Sequence, residues 1–398
     1  MDLFVLLFVI VVGCVGGLIA GLFPGVHPNT IAQIFTYVGL DPLALSIAIT
    51  AAAAVNTIIA VIPAIFLCVP EQSTILSVLP GQRLVNEGRG LHAVWICGVA
   101  SAITLLVSFA LLPLWLVALQ PIYEGIKPYM LPILAAICIA FILHEKVMKN
   151  IVSSTFIFVI SGIFGFLVLN SALLKEPLFA PFIGMFALSN LLLTMNNVRI
   201  PFQKQVQRAD TVVTTQLIIV IIVGTLLGGL ADLLPAIGSS AQLATFGSAL
   251  TGGSPSMFLA MTTSISLSHL INSFVALHTI GKARIGATAI INEMVGVPDV
   301  STLAIYLITI VVAAAFSIAL LFAISVPFLR FMRDIDMRVL NALLIVYLCA
   351  AVLAVDGLNG IAVLCLATVI GVLPPLMNVR RTHLMGFLIL PTIFYLAS

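Results

Sequence analysis

A chain of 398 residues, 62% of them hydrophobic and only 8% charged, with a mean hydropathy of +1.28, has too little polar surface to cover a water-soluble globule. It reads as an all-α, polytopic integral membrane protein of the cytoplasmic membrane. The formal net charge of +2 comes with no basic surface stretch, so nucleic acid is not an expected partner.

The first apolar run, 3–22, is long enough to cross the hydrocarbon core, lacks a basic leader, and is taken as a transmembrane helix rather than a signal peptide. It runs straight into Phe23-Pro24-Gly25-Val26-His27-Pro28-Asn29-Thr30, which sets two prolines, a glycine and three polar residues against the end of a membrane-length segment. Farther on, Asn56 and Thr57 interrupt another apolar stretch. Then Val69-Pro70-Glu71-Gln72-Ser73-Thr74 opens a short segment, 72–81, that is too brief to span. Helices are predicted near 92–118, 128–143, 151–170 and 178–195, and a charged linker at 196–210 follows.

The second part repeats this order. The run 211–230 ends in Leu234-Pro235-Ala236-Ile237-Gly238-Ser239-Ser240, and both breaks lead into an apolar stretch that closes on a phenylalanine, Phe35 or Phe246. Asn272-Ser273 then echoes Asn56-Thr57, and 285–297 is a second segment too short to cross. Helices at 302–329, 339–355, 359–377 and 384–398 complete the chain. Duplicated helix breaks and duplicated short segments are the mark of a transporter assembled from repeats.

The 16 Lys and Arg residues cluster at Arg83/Arg89, Lys146/Lys149, Arg199/Lys204/Arg208, Lys282/Arg284, Arg330/Arg333/Arg338 and Arg380/Arg381, leaving only Lys127 and Lys175 apart. Placing every cluster in the cytoplasm satisfies the positive-inside rule. The equivalent helices of the two parts then run in opposite directions. This predicts inverted-topology repeats, roughly 1–205 and 206–398.

Non-helical chain at membrane depth survives only where protein or a water-filled cavity surrounds it. The two breaks are therefore expected to start new half-helices, with Asn29 or Thr30 and Ser239 or Ser240 as N-caps. Their free N–H groups would suit an anion. The candidate substrate-binding residues are Gly25, His27, Asn29, Thr30, Asn56, Ser73, Thr74, Gly238, Ser239, Ser240, Gln242 and Asn272. Glu71 is the candidate for ion coupling, because an ionisable group near the membrane interior is costly. The competing readings are surface loops at the breaks, a capping role for Glu71 and a structural role for His27.

His269, Asn272, His278, Lys282, Arg284 and Glu293 crowd one later window. His278 and Lys282 would share a helix face if the helix continued, and an anion site lined by Lys282 competes with simple cytoplasmic anchoring. The six cysteines lack metal or redox spacing and read as small buried hydrophobes. No hydrolase, zincin or P-loop pattern occurs, so neither an enzyme nor a cofactor is expected.

Four stretches together resemble the large membrane subunit of the tripartite tricarboxylate transporters, the TctA family, and its shorter archaeal-type members. They are Gly21 to Thr30; Pro70 to Thr74 with Leu79-Pro80-Gly81 and Gly88 to Ala93; Pro181 to Ser189; and His383-Leu384-Met385-Gly386 through Pro391. The resemblance implies a secondary transporter of inverted repeats that imports small carboxylates on a gradient of H+ or Na+. It also implies an extracytoplasmic binding protein and a small membrane subunit as partners. The chain is shorter than the longer members, and His27-Pro28-Asn29 replaces a more Gly-rich loop, which leaves those partners and citrate-like specificity open. The Pro-Gly-Val-x-x-x-Thr arrangement also looks like one loop of the polyprenyl-phosphate translocases. A lipid-phosphate flippase is thus the alternative, and a membrane-bound lipid-phosphate enzyme a third reading. Membrane lipids and a second copy of the chain, in a homodimer, complete the expected partners.

Overall fold

The computed structural model describes residues 3–22, 41–66, 78–143, 145, 147–172, 174–194, 213–233, 243, 251, 253–333 and 337–397. In chain order the helices are α1 (Leu3–Leu22), α2 (Pro42–Ile59), α3 (Val61–Phe66), α4 (Val78–Asn86), α5 (Gly90–Ile126), α6 (Met130–Leu143) and α7 (Met148–Leu169). After these come α8 (Phe179–Phe182), a π-turn (Ile183–Leu188), α9 (Ser189–Thr194), α10 (Thr215–Leu230), α11 (Pro255–Ile280), α12 (Gly286–Val295), α13 (Val300–Arg333), α14 (Met337–Leu376) and α15 (Gly386–Ala397). Among the described residues there is no strand, and eight helical stretches are long and apolar enough to cross a membrane. The protein is an all-α, multi-pass protein of the cell membrane.

The helices gather into two compact units. The first takes Met1–Tyr123, Ile200–Leu233 and Gly238–Asp334, and the second Glu124–Arg199, Leu234–Ile237 and Ile335–Ser398. Each unit thus draws on both parts of the sequence.

In the first unit, glycines let helices touch backbone to backbone. Gly13, Gly17 and Gly21 of α1 face Ala48, Ala52 and Ile59 of α2, where a Cβ would collide with the main chain or the Ile59 side chain. Gly224 and Gly228 of α10 face Met261 and Ile265 of α11 in the same way. Small residues one helical turn apart are the usual means of close approach between helices in lipid, where apolar burial alone gives no drive. The register of both seams shows direction. Contacts advance together along α1 and α2, and along α10 and α11, so each pair runs parallel.

The remaining contacts orient the unit. Ser46 meets Tyr306 and Phe66 meets Phe328, so α2, α3 and α13 run the same way. Gly81 of α4 rests on Ile65 at the end of this path, and Gly98, near the start of α5, lies against Phe322. His92 of α5 reaches Ser256 at the start of α11, while Phe274 packs on Tyr306 at the far end. Consequently α1, α2 and α13 run toward one end of the unit, and α5, α10 and α11 run away from it.

That geometry corrects the charge placement. Arg83, Arg89 and Arg330 share one end of the unit. Lys282 and Arg284 follow the opposite end of α11, which rises about 39 Å over its 26 residues, so they cannot lie on that same side. Gly281, at φ 63°, caps α11. The helix therefore stops before Lys282, and the expected shared face with His278 does not form. His278 Nδ1 instead meets the carbonyl of Pro298 at 2.8 Å.

Two further expectations shift. The short segment expected at 72–81 extends as a helix to Asn86: it is described over Val78–Asn86, with Pro80 in the first described turn, while 72–77 lie outside the described residues. Among the cysteines, Cys14, Cys97 and Cys138 are buried, but Cys349 is half-buried and Cys365 exposed. A small apolar thiol is at home against lipid as well as inside.

The second unit packs α7 against α15 and α14 against the π-turn, with Gly165 against Phe387 and Gly371 against Met185. Non-helical Gly357, at φ 66° and ψ −154°, divides α14 into the two helices expected at 339–355 and 359–377. Beside it, Asp356 Oδ1 accepts from the N–H groups of Lys175 and Glu176 at 2.9 and 3.0 Å. At another point Glu145 Oε1 accepts from the Arg380 N–H at 3.3 Å and meets His383 Nε2 at 3.2 Å. Burial holds His383 below the usual histidine range, although Glu145 pulls the other way.

Candidate functional site

The parallel seams change the meaning of the two breaks. Gly21 lies beside Ile59 and Ala60, so Leu22 ends next to the end of α2, whereas the chain resumes at Pro42, about 26 Å away at 1.5 Å per residue. Likewise Leu233 ends beside the middle of α11, and Pro255 starts about 24 Å away. In both pairs the two described ends are thus separated by most of a helix length. The intervening stretches hold Gly25, His27, Asn29 and Thr30 in one case, and Gly238, Ser239, Ser240 and Gln242 in the other; these candidates lie outside the described residues, as do Glu71, Ser73 and Thr74.

Asn56 and Asn272 are described, and they sit on helices that pack together. Helix α2 starts at an Asp41 cap, whose Oδ2 accepts from Leu43 N and Ala44 N at 3.1 and 3.4 Å, with Pro42 in the first position. It is buried almost throughout and packs on both α11 and α13. Its hydroxyls are consumed locally: Thr50 donates to the carbonyl of Ser46 and Thr57 to that of Ala53, while Ser46 accepts from the Tyr306 hydroxyl at 2.8 Å. Asn56 differs. It is 4% exposed, and its Nδ2 finds no partner among the described residues.

Helix α11 is also buried from Leu259 to Leu277 apart from Ser266. Ser268 donates across the seam to the carbonyl of Thr225 at 2.7 Å. Asn272 Nδ2 donates to the Ser268 carbonyl at 2.9 Å, and since a carbonyl only accepts, this fixes which end of the amide is which. Its Oδ1 is left without a partner among the described residues.

The sequence reading missed the residue at the centre of this arrangement. Asp232, in the 3-10 turn Ala231–Leu233 that ends α10, is fully buried. Its Oδ1 accepts from the Ser273 hydroxyl at 2.7 Å and meets His269 Nε2 at 3.2 Å. Its main-chain carbonyl accepts from Arg284 Nε at 3.0 Å. Its Oδ2 has no partner among the described residues. The available signal was a lone acid closing a membrane-length apolar run, where a charge is costly unless partnered, with His269 and Ser273 one turn apart to partner it.

Each unmet polar group in such an interior costs about 1–3 kcal/mol. Eight buried side-chain atoms are unmet among the described residues; besides Ser108 Oγ, Trp115 Nε1, Thr263 Oγ1, Asp356 Oδ2 and His383 Nδ1 they are the donor of Asn56 and the acceptors of Asn272 and Asp232, which could take an anion at the donor and a cation or proton at the acceptors. Among the described residues no three His, Cys, Asp or Glu side chains gather as metal ligands would.

No solved structure matches this chain. A Methanocaldococcus jannaschii protein described as uncharacterized is 28% identical over 385 residues, covering 92% of this chain and 93% of the relative. Residues 7–386 match the family described as the tripartite tricarboxylate transporter TctA family, a family of transporters rather than of enzymes. With nearly its whole length matched, the chain belongs to the tripartite tricarboxylate transporter TctA family and is a membrane subunit of such a transporter.

Proposed function

We propose that this subunit carries a small di- or tricarboxylate across the membrane by alternating access, driven by a gradient of H+ or Na+. The observation that supports this best is the pair of parallel seams. In each, the described chain ends about 24–26 Å from where the next helix begins, and that next helix carries a buried asparagine. Chain broken in this way suits an anion at helix N-termini, and the unmet Asn56 Nδ2 offers it one more donor.

The opposed directions of α1, α2 and α13 against α10, α11 and α5 favour two inverted repeats, with halves near 1–205 and 206–398. So does the contribution of both halves to each unit. The partners expected on this reading are those of a tripartite system, an extracytoplasmic binding protein and a small membrane subunit.

Binding tests it without those partners, because the site lies in this chain. Purified protein in lipid nanodiscs should bind labelled citrate or succinate, and Asn56→Ala, Asn29→Ala and Ser240→Ala should each weaken binding about tenfold, or about 1.4 kcal/mol. No binding of any tested carboxylate by the unaltered protein would overturn the reading, and tight binding of a polyprenyl phosphate instead would move the assignment to a lipid-carrier flippase.

A further inference from the structure

We propose that Asp232, His269 and Ser273 form a proton-binding site, loaded and unloaded as the carboxylate crosses; the link to transport rests on the function proposed above, the site itself on its geometry.

The argument starts from the oxygens. Asp232 Oδ1 already holds two donors, the Ser273 hydroxyl at 2.7 Å and His269 Nε2 at 3.2 Å. Oδ2 holds none among the described residues, and the side chain is fully buried. A proton on Oδ2 turns the one orphaned acceptor of the carboxylate into a donor. Asn272 Oδ1, a second buried acceptor without a partner, stands on the same stretch of α11, one turn from His269.

Charge points the same way. With His269 neutral, the carboxylate and the imidazole together carry one negative charge, and one added proton brings them to zero. A buried charge in a membrane protein is costly, so the two forms differ in how readily the cluster is enclosed or opened. This is the requirement for coupling.

Among the described residues, the other buried titratable groups against α11 are Tyr306, packed on Phe274, and Cys97, beside Thr263, both uncharged near neutral pH. Helix α10 contributes none, α11 adds only half-buried His278, which is held on Pro298, and Lys282 and Glu293 are exposed. Arg284, half-buried, contributes its Nε to the main-chain carbonyl of Asp232. Its charge lies near enough to moderate the site, and it ties the chain after α11 to the end of α10. The cluster sits about 17 Å inside the end of α11, and that end is opposite Arg83, Arg89 and Arg330. On the cytoplasmic placement of those arginines, a proton arriving from outside reaches it first. Sodium fits less well, because it needs several oxygens around it and Oδ1 is already taken by two donors.

The test uses full-length protein in liposomes, with labelled citrate or succinate as the probe and Asp232→Asn and His269→Gln as variants. Asparagine keeps an acceptor for Ser273, and glutamine keeps a donor for Asp232, so at least one variant should fold. An inward proton gradient should raise accumulation at least tenfold in the unaltered protein and not at all in Asp232→Asn. Infrared difference spectra between acid and alkaline pH, which need no substrate, should show a protonated carboxyl band that Asp232→Asn removes. A variant protein with undiminished gradient-driven accumulation would overturn the proposal, as would uptake driven by sodium and indifferent to pH, or an unchanged infrared band. If this subunit alone takes up no carboxylate but the band is present and lost in Asp232→Asn, the proton site stands and the carboxylate reading is decided by the nanodisc binding measurement above.

Discussion

The seam between α10 and α11 can be stressed by a single methyl group. A Cβ on Gly228 would stand 2.5 Å from the Ile265 carbonyl oxygen and 2.8 Å from Ser268 Cβ. Ordinary contact begins near 3.4 Å, so Gly228→Ala must part the helices by about 0.9 Å. The Ser268-to-Thr225 bond, now 2.7 Å, then opens to about 3.6 Å, past the limit for a hydrogen bond. The Ser273-to-Asp232 bond, also 2.7 Å and only one turn along, is strained with it. Losing a neutral bond costs about 0.5–1.5 kcal/mol and a bond to a charged group about 1.5–3; the better helix propensity of alanine returns up to about 1. The net expectation is a loss of about 1–3 kcal/mol, read as a lowered melting temperature in detergent or nanodiscs. Gly125 is the control: a Cβ there meets nothing within 4 Å, so Gly125→Ala should be neutral or gain up to about 1 kcal/mol. Equal stability of Gly228→Ala and Gly125→Ala would refute the close seam and, with it, the parallel register read from it.

Other consequences can be checked in the same preparations. Burial holds His383 below the ordinary histidine value of 6.5, so the unfolded chain binds more protons than the folded one as pH falls through that value. Stability should be fully present above about pH 6.5 and decline below it, and His383→Gln should flatten that slope in thermal unfolding. Tyr306→Phe removes the 2.8 Å donor to Ser46 and should cost about 0.5–1.5 kcal/mol without altering carboxylate binding. Asp356→Ala leaves the N–H groups of Lys175 and Glu176 without their acceptor; a charge-assisted loss of about 1.5–3 kcal/mol should appear, and Asp356→Asn should recover most of it.

Composition and run length were enough to read the helices, because a bilayer admits few backbone solutions, and α7, α9 and α10 end within a few residues of their expected bounds. Direction was harder. A parallel pair and an antiparallel pair present the same apolar text, and the distinguishing feature, glycine recurring at Gly13, Gly17 and Gly21 or at Gly224 and Gly228, only acquires a meaning once its partner is known. Charge placement went wrong at Lys282 and Arg284 for a related reason: Arg284 is held by the carbonyl of Asp232, so it reports on a buried site rather than on the side of the membrane. The role of Asn56 and Asn272 is the proposal above; their burial was legible, because a carboxamide inside a membrane-length apolar run has nowhere else to go. Asp232 was not, since it borders Leu233, Leu234 and Pro235 and reads as the polar edge of a loop.

The satisfied and unsatisfied groups on α2 and α11 bear on the proposed site. Helix α11 buries hydroxyls at Thr262, Ser264, Ser268 and Ser273, and each donates to a carbonyl or a carboxylate. Helix α2 treats Thr50 and Thr57 the same way. Among the described residues Asn56 Nδ2, Asn272 Oδ1 and Asp232 Oδ2 stay unmet, at about 1–3 kcal/mol each, as do Thr263 Oγ1 on α11 and four atoms elsewhere; the first three are set apart by belonging to an amide or a carboxylate on the packed helices α2 and α11 and the turn that ends α10. Leucine at Asn56 or Asn272 would remove that cost and fill the same interior. These three are of two kinds, a donor on α2 and acceptors at the α10–α11 seam, the two kinds that the proposed anion and the proposed proton would use. On the proposed reading, a ligand at one helix pair would reach the other through the packing of α2 on α11.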